Sequence, residues 1–269
     1  MRFTVFKNLN KILVRYNIFQ NVLEQFEIVP FLSIDFIDIV FFTNEIVTLL
    51  LIFFFFSVFF LSNNTHSSEM LIIPNRYQAA FIKLENLILG LINDNIKGVG
   101  ASKFFPFVFT NFLFILVINL IGLIPYSFTL TSHIIITALI SVSSFIGINI
   151  LSIKKNKIKF FAIFMPAGTS LVLSFLLIPI EIISYFFKPI SLAIRLFANM
   201  MAGHTLLKVI AGFAHSLSSA GGFLIILSFF PLGILLPLFF LEFAVALIQT
   251  FVFTVLLCIY INDSLNISH

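Results

Sequence analysis

Apolar residues fill this chain in long blocks, and the polar positions between them mark where each block ends. Leu49 to Phe60 contains one polar residue, Ser57, and the block closes at Ser62-Asn63-Asn64-Thr65, a loop signal. About 20 apolar residues cross a bilayer, so 39–61 is predicted as a first span, with Glu45 near one interface and an arm over 1–38 before it. The pattern changes over 74–96. There Tyr77, Phe81, Leu84, Leu87, Ile88, Leu91 and Ile92 recur at helical spacing, and Arg76, Lys83, Glu85 and Asp94 interrupt too often for a span. This segment is predicted to be an amphipathic helix lying on the membrane surface or against a partner.

From Phe104 to Ile153 there is no Asp, Glu, Lys or Arg. That is long enough for two crossings, and Pro125-Tyr126-Ser127 to His133 supplies the break, so 104–153 is predicted as a transmembrane hairpin. Its exit is marked by Lys154, Lys155, Lys157 and Lys159, which assign that side to the cytoplasm or matrix. Arg76, Lys83, Lys97 and Lys103 then share it, and the N-terminus lies opposite. The last block, 160–263, reads as a long helical hairpin turning at Ser218-Ser219-Ala220-Gly221-Gly222. As single helices, Ala167 to about Leu217 would be about 75 Å long and Gly222 to Ile261 about 60 Å, at 1.5 Å per residue. The hydrocarbon layer is only about 30 Å thick. The arms must therefore be broken, for which Pro179, Pro189, Pro231 and Pro237 allow kinks, or tilted well past the usual ~20°. The predicted fold is an all-α integral membrane domain over 1–269, with five membrane-embedded segments and one amphipathic surface helix.

Composition agrees. The chain has 269 residues, 60% hydrophobic and 10% charged, with 39 phenylalanines. Its mean hydropathy is +1.16. Soluble domains carry about 25% charged residues, so a soluble enzyme, a disordered chain and a coiled coil are excluded. Cys258 is the single cysteine, which excludes an internal disulfide and any cysteine-based metal cluster. The net charge of +4 comes partly from lysines beside spans, which orientation explains better than nucleic acid does. Arg2, Lys7, Lys11 and Arg15 precede the first acid, Glu24, and fit either an import signal or a basic arm.

The penultimate segment carries charge where little belongs: Glu181, Lys188, Arg195, His204, Lys208 and His215. A charge at the bilayer centre costs at least about 2.5–3.5 kcal/mol and usually marks an ion or proton path. At 100° per residue, Glu181, Lys188, Arg195 and Asn199 fall within roughly 40° of one another, and His204 lies about 180° from Arg195, with Lys208 and His215 following it. Glu242 and Gln249 share a face of the final segment, with Asp263 at its far end. A continuous chain of titratable groups would leak protons. Two offset half-paths parted by a permanent cation would not, and the Arg195 guanidinium stays protonated. Simpler roles stay open at this stage. Arg195 can be a structural partner of Glu242, His204 a satisfied buried histidine, and Lys188 and Lys208 can snorkel to an interface. Asn119 suits helix packing and channel lining equally.

The stretch Ser191-Leu192-Ala193-Ile194-Arg195-Leu196-Phe197-Ala198-Asn199-Met200-Met201-Ala202-Gly203-His204 resembles the signature of ATP synthase subunit a, the stator channel of a rotary membrane motor. Pro179-Ile180-Glu181-Ile182-Ile183-Ser184, Leu241-Glu242-Phe243-Ala244-Val245-Ala246-Leu247-Ile248-Gln249 and Tyr260-Ile261-Asn262-Asp263 agree with it, and Asn119-Leu120-Ile121-Gly122-Leu123-Ile124-Pro125 looks like the family's first hairpin. The resemblance implies that Arg195 faces a rotor ring of proteolipid c subunits, each with a membrane-embedded carboxylate. It implies a lumenal half-channel of His204, Glu242, Asn199, Gln249 and Asn119, and a matrix-side path at Glu181 and Asp263. It also implies no catalytic site, cofactor or metal in the chain itself, and as partners the ring, peripheral-stalk and other membrane-sector subunits, protons and lipid. The order His204 then Glu242 looks mitochondrial, so the expected location is the mitochondrial inner membrane, with the N-terminus in the intermembrane space and the C-terminus in the matrix. The phenylalanine load suits an AT-rich genome, and Lys188-Pro189 looks bacterial, so the inner membrane of an AT-rich bacterium is the alternative.

Two rival classes fit less well. A haem-binding electron-transfer subunit needs axial ligands on facing helices, and His204 and His215 lie on one. A solute transporter usually shows internal repeats with matching broken helices, and none is visible.

Overall fold

The computed structural model describes residues 26–28, 30–34, 39–65, 76–96, 101–124, 127–157, 160, 171–219 and 221–265. Most of the arm over 1–38, the lysines at 97 and 159, and the hairpin break at Pro125 and Tyr126 lie outside them. Among the described residues, six α-helices carry the fold: α1 (Asn44–Thr65), α2 (Arg76–Asn95), α3 (Phe105–Gly122), α4 (Ile134–Asn156), α5 (Leu171–Ser219) and α6 (Leu224–Leu265). Four of them are long and apolar enough to cross a membrane: α3, α4, α5 and α6.

A short antiparallel ladder precedes α1, pairing β1 (Pro30–Ile34) with β2 (Ile39–Thr43). The first helix thus starts at Asn44 rather than Ile39. Ile39-Val40-Phe41-Phe42-Thr43 is entirely β-branched or aromatic, a composition that suits strands. At the other end α1 runs through Ser62-Asn63-Asn64-Thr65 instead of stopping at Leu61. That run holds no glycine or proline to force the chain out of the helix.

Helix α2 turns its apolar stripe inward. Ile88 and Ile92 are fully buried and join Val108, Phe109 and Phe112 of α3 and Phe253, Leu257 and Ile261 of α6 in the main core. The partner of this amphipathic face is therefore the chain's own helices, while Lys83 and Leu87 stay outside. Helices α3 and α4, of 18 and 23 residues, are about 27 and 35 Å long, close to the hydrocarbon thickness. Pro106 sits in the first turn of α3, where its missing N–H costs no helical bond.

Helix α5 has 49 residues and α6 has 42, each continuous through its two prolines. Between them the chain reverses on Gly221 and Gly222, both at positive φ (74° and 60°), a region open to glycine at little cost. Helix α6 is central, lying against α5, α3, α4 and α2. Its last carbonyls are capped from α4: Ser152 and Asn156 donate to the Ser264 carbonyl at 3.0 and 2.7 Å, and Lys155 Nζ to that of Leu265 at 3.3 Å. These bonds satisfy carbonyls that a helix end leaves open, and the lysine complements the negative end of the dipole. The outer faces of α5 and α6 are apolar, with Phe175, Phe229, Phe230 and Phe240 exposed, as a lipid-facing surface requires.

Candidate functional site

Arg195 stands on the outer face of α5 and is exposed. Among the described residues it has no ion pair or hydrogen bond. Ser191, Ala198 and Ala202, at helical spacing on the same face, are also exposed. The guanidinium is thus flanked by small side chains that let another surface approach closely. Its neighbours Leu192, Ala193 and Leu196 are buried, which fixes the rotation of α5 and aims Arg195 outward.

Toward the C-terminal end of α5 lies the first polar cluster. Asn199 Nδ2 donates to Gln249 Oε1 on α6 at 2.8 Å. His204 Nδ1 stands 3.3 Å from Glu242 Oε1. That distance allows an ion pair, but the direction is wrong for a hydrogen bond, and both Glu242 oxygens, His204 Nε2 and Gln249 Nε2 are buried with no hydrogen-bond partner among the described residues. Glu242 reaches this place because α5 presents a glycine: a Cβ on Gly203 would lie 2.8 Å from Glu242 Oε1 and 3.1 Å from its Cδ and Cγ. Glu242 therefore pairs with His204 rather than Arg195. Phe26 closes one side of His204, ring centroids 6.5 Å apart.

Asn119 of α3 is fully buried and reaches α6 one turn away. Its Nδ2 donates to Thr250 Oγ1 at 3.3 Å and to the Ala246 carbonyl at 3.5 Å. Its Oδ1 has no partner among the described residues. The amide nitrogen ties two helices while the oxygen presents an unused acceptor.

The second polar cluster lies toward the N-terminal end of α5, from Lys188 about 10 Å from Arg195 along the axis to Glu181 about 20 Å away. A cavity of about 220 Å³ opens between α4, α5 and α6, lined by Phe145, Ile148, Glu181, Tyr185, Lys188, Tyr260, Asp263 and Ser264. Glu181 and Asp263, far apart in sequence, are brought together here. Lys188 is in the cavity rather than snorkelling freely: its Nζ is 3.5 Å from Asp263 Oδ2, and 5.4 and 5.1 Å from the ring centroids of Tyr185 and Tyr260. The Tyr185 hydroxyl donates to Asn149 Oδ1 of α4. Tyr260 lines the same cavity from α6.

Sequence reasoning missed the two tyrosines and the Lys188 pairing. Tyr185 lies four residues after Glu181, hence on its face, which was the available signal; Tyr260 had none beyond its position beside Asp263. Among the described residues, no group of three or more His, Cys, Asp and Glu side chains converges as a metal site requires.

Comparison with known proteins identifies the family. The family described as ATP synthase A chain matches residues 44–262. A protein named ATP synthase subunit a from Pylaiella littoralis is 47% identical over 249 residues, covering 92% of this chain and 98% of its own. One of the same name from Chondrus crispus is 50% identical over 195 residues, covering 72% of this chain and 77% of its own. Another from Rhodospirillum rubrum is 40% identical over 244 residues, covering 90% and 97%. With a family match over residues 44–262 and relatives 40–50% identical over most of their length, this chain belongs to the ATP synthase A chain family.

Proposed function

We propose that the chain is the stator proton channel of an F-type ATP synthase membrane sector, with two offset half-channels that meet a rotor ring at Arg195. The observation that carries this reading is the placement of Arg195: outward and, among the described residues, without an internal ion pair or hydrogen bond, between one polar cluster on each side of it along α5. The lumenal half-channel consists of Asn119, Asn199, His204, Glu242 and Gln249; the matrix half-channel runs through the cavity at Glu181 and Asp263. Burial of an unpaired polar atom costs about 1–3 kcal/mol. Asn119, His204, Glu242 and Gln249 all carry such atoms, a density that fits a wet passage rather than a dry core.

The mechanism follows from the charges. A ring carboxylate arriving about 4 Å from Arg195 gains roughly 4 kcal/mol at an effective dielectric of 20. That interaction favours proton release on the matrix side. Reprotonation from the lumenal cluster neutralises the carboxyl, which can then leave the arginine and face lipid. A potential of 100 mV adds about 2.3 kcal/mol per charge moved. The chain has no catalytic site of its own; it couples proton flow to ring rotation and thereby to ATP synthesis in the partner sector.

The same reading sets the membrane arrangement. Helix α1 serves as a fifth membrane segment and α2 lies at the matrix interface. Helices of 49 and 42 residues, about 73 and 63 Å, remain within a membrane only if strongly tilted. The location is the mitochondrial inner membrane, with the C-terminus in the matrix. Replacement of Arg195 by Ala tests the reading: coupled ATP synthesis is expected to vanish while the subunit still inserts and assembles, and normal coupled synthesis would refute it.

A further inference from the structure

We infer that Lys188 is a positioning residue of the matrix-side cavity, holding Asp263 as a fixed counterion and leaving Glu181 as the carboxylate free to carry the proton. This rests on the proposed channel reading and divides two acids that the sequence treats alike.

The two carboxylates share one cavity, and their surroundings differ. Asp263 is held in place. The carbonyl of the next residue, Ser264, accepts bonds from Ser152 and Asn156 of α4, so the backbone beside Asp263 is anchored to another helix. Lys188 Nζ lies 3.5 Å from its Oδ2. The ammonium is also flanked by the rings of Tyr185 and Tyr260, at 5.4 and 5.1 Å, where cation–π attraction opposes a swing away. Tyr185 is anchored in turn by its bond to Asn149.

Glu181 lies two helical turns from Lys188, about 10 Å along the axis. Among the described residues it has no ion pair or hydrogen bond. Among the described residues, the other groups near it are as follows. From α4 the lining is apolar, Phe145 and Ile148; Lys154 is exposed in the last turn, and Lys155 is engaged with the Leu265 carbonyl. From α6 come Tyr260 and Asp263, and on α5 itself Tyr185 and Lys188, with Arg195 two helical turns past Lys188.

Two carboxylates in one cavity without a cation repel each other and titrate as a coupled pair. With Lys188 committed to one of them, the acids become unequal and the cavity offers a single acceptor. The side chain of Asp263 is half-exposed, so the ion pair itself contributes little stability. Its effect is to fix which acid accepts the proton.

The test is a charge cycle in the whole ATP synthase, reconstituted in vesicles, with subunit content and the pH profile of ATP-driven proton uptake both measured. Asp263→Asn frees Lys188 to turn on Glu181, and Lys188→Gln leaves two unpartnered acids; each is expected to lower flux about 10-fold and to alter the pH profile. The double variant removes the pair together, and its loss of flux is expected to be no greater than that of either single variant. Glu181→Gln is expected to stay low in every background. Independent losses that multiply in the double variant would overturn the inference, because Asp263 would then be a relay. Where a single variant fails to assemble, an assembled double variant with Glu181-dependent flux supports the pair, and an unassembled one overturns it. In all variants Arg195 is intact, so retained coupling in Arg195→Ala refutes the channel reading separately from this division of roles.

Discussion

Gly203 is the position where a single methyl group tests the geometry of the lumenal cluster. Gly203→Ala places a Cβ 2.8 Å from Glu242 Oε1 and 3.1 Å from both Cδ and Cγ. Rotation of the carboxylate relieves the first contact, and the Cγ contact requires a further shift of a few tenths of an ångström, so Glu242 is displaced from its position beside His204. Overpacking of this kind costs about 1–3 kcal/mol. If that cost falls on the conducting geometry, proton flux drops roughly 5- to 150-fold. The assay is ATP-driven acidification of inverted membrane vesicles, normalised to the subunit content of the assembled complex. Glu242→Asp removes one methylene from the crowded side chain, so Gly203→Ala/Glu242→Asp should conduct better than Gly203→Ala alone. Unchanged flux in a fully assembled Gly203→Ala complex would show that Glu242 does not work from this position.

Three further outcomes follow. Asn199→Ala and Gln249→Ala should each lower flux, and a double-mutant cycle should return a coupling of about 0.5–3 kcal/mol, since the pair is joined at 2.8 Å; strict additivity would mean the contact is idle. Ile88→Ala should cost about 2–5 kcal/mol of packing, because Ile88 is fully buried where α2 meets the main core; the amount of assembled subunit, read by quantitative immunoblot, should fall while the flux per assembled complex stays constant. Thr250→Ala removes the hydroxyl that accepts from Asn119 at 3.3 Å, and Thr250→Ser keeps it; flux should fall in the first and persist in the second, and equal behaviour would remove the α3 link from the channel.

The parts of this structure that were legible in the sequence depend on short-range pattern. The charge-free stretch over 104–153 marked two crossings, the glycines at 221 and 222 marked the reversal, and the spacing of Glu181, Arg195 and His204 put an arginine between two polar groups on one helix. The ladder before α1 was not legible, because Ile39–Thr43 is as apolar as the helix it leads into and only register with Pro30–Ile34 separates them. The Lys188–Asp263 pair was not legible either. The partners are 75 residues apart, and their meeting depends on how α6 is capped from α4 by Ser152 and Asn156. Asn119 shows the same limit. Sequence left it between packing and lining, and the contact with Thr250 gives its amide to packing while its oxygen remains available.

The central claim is that the exposed face around Arg195 meets the rotor. The direct measurement is oxidative cross-linking of a cysteine at Ala198, which is exposed on that face, to a cysteine placed beside the ring carboxylate, with buried Ala193 as the control position and Cys258 replaced by Ser. A disulfide between the subunit and a single ring protein at 198, and none at 193, is the result expected. Labelling of 198 by lipid-dissolved reagents with no ring adduct, in a complex that still synthesises ATP, would contradict it.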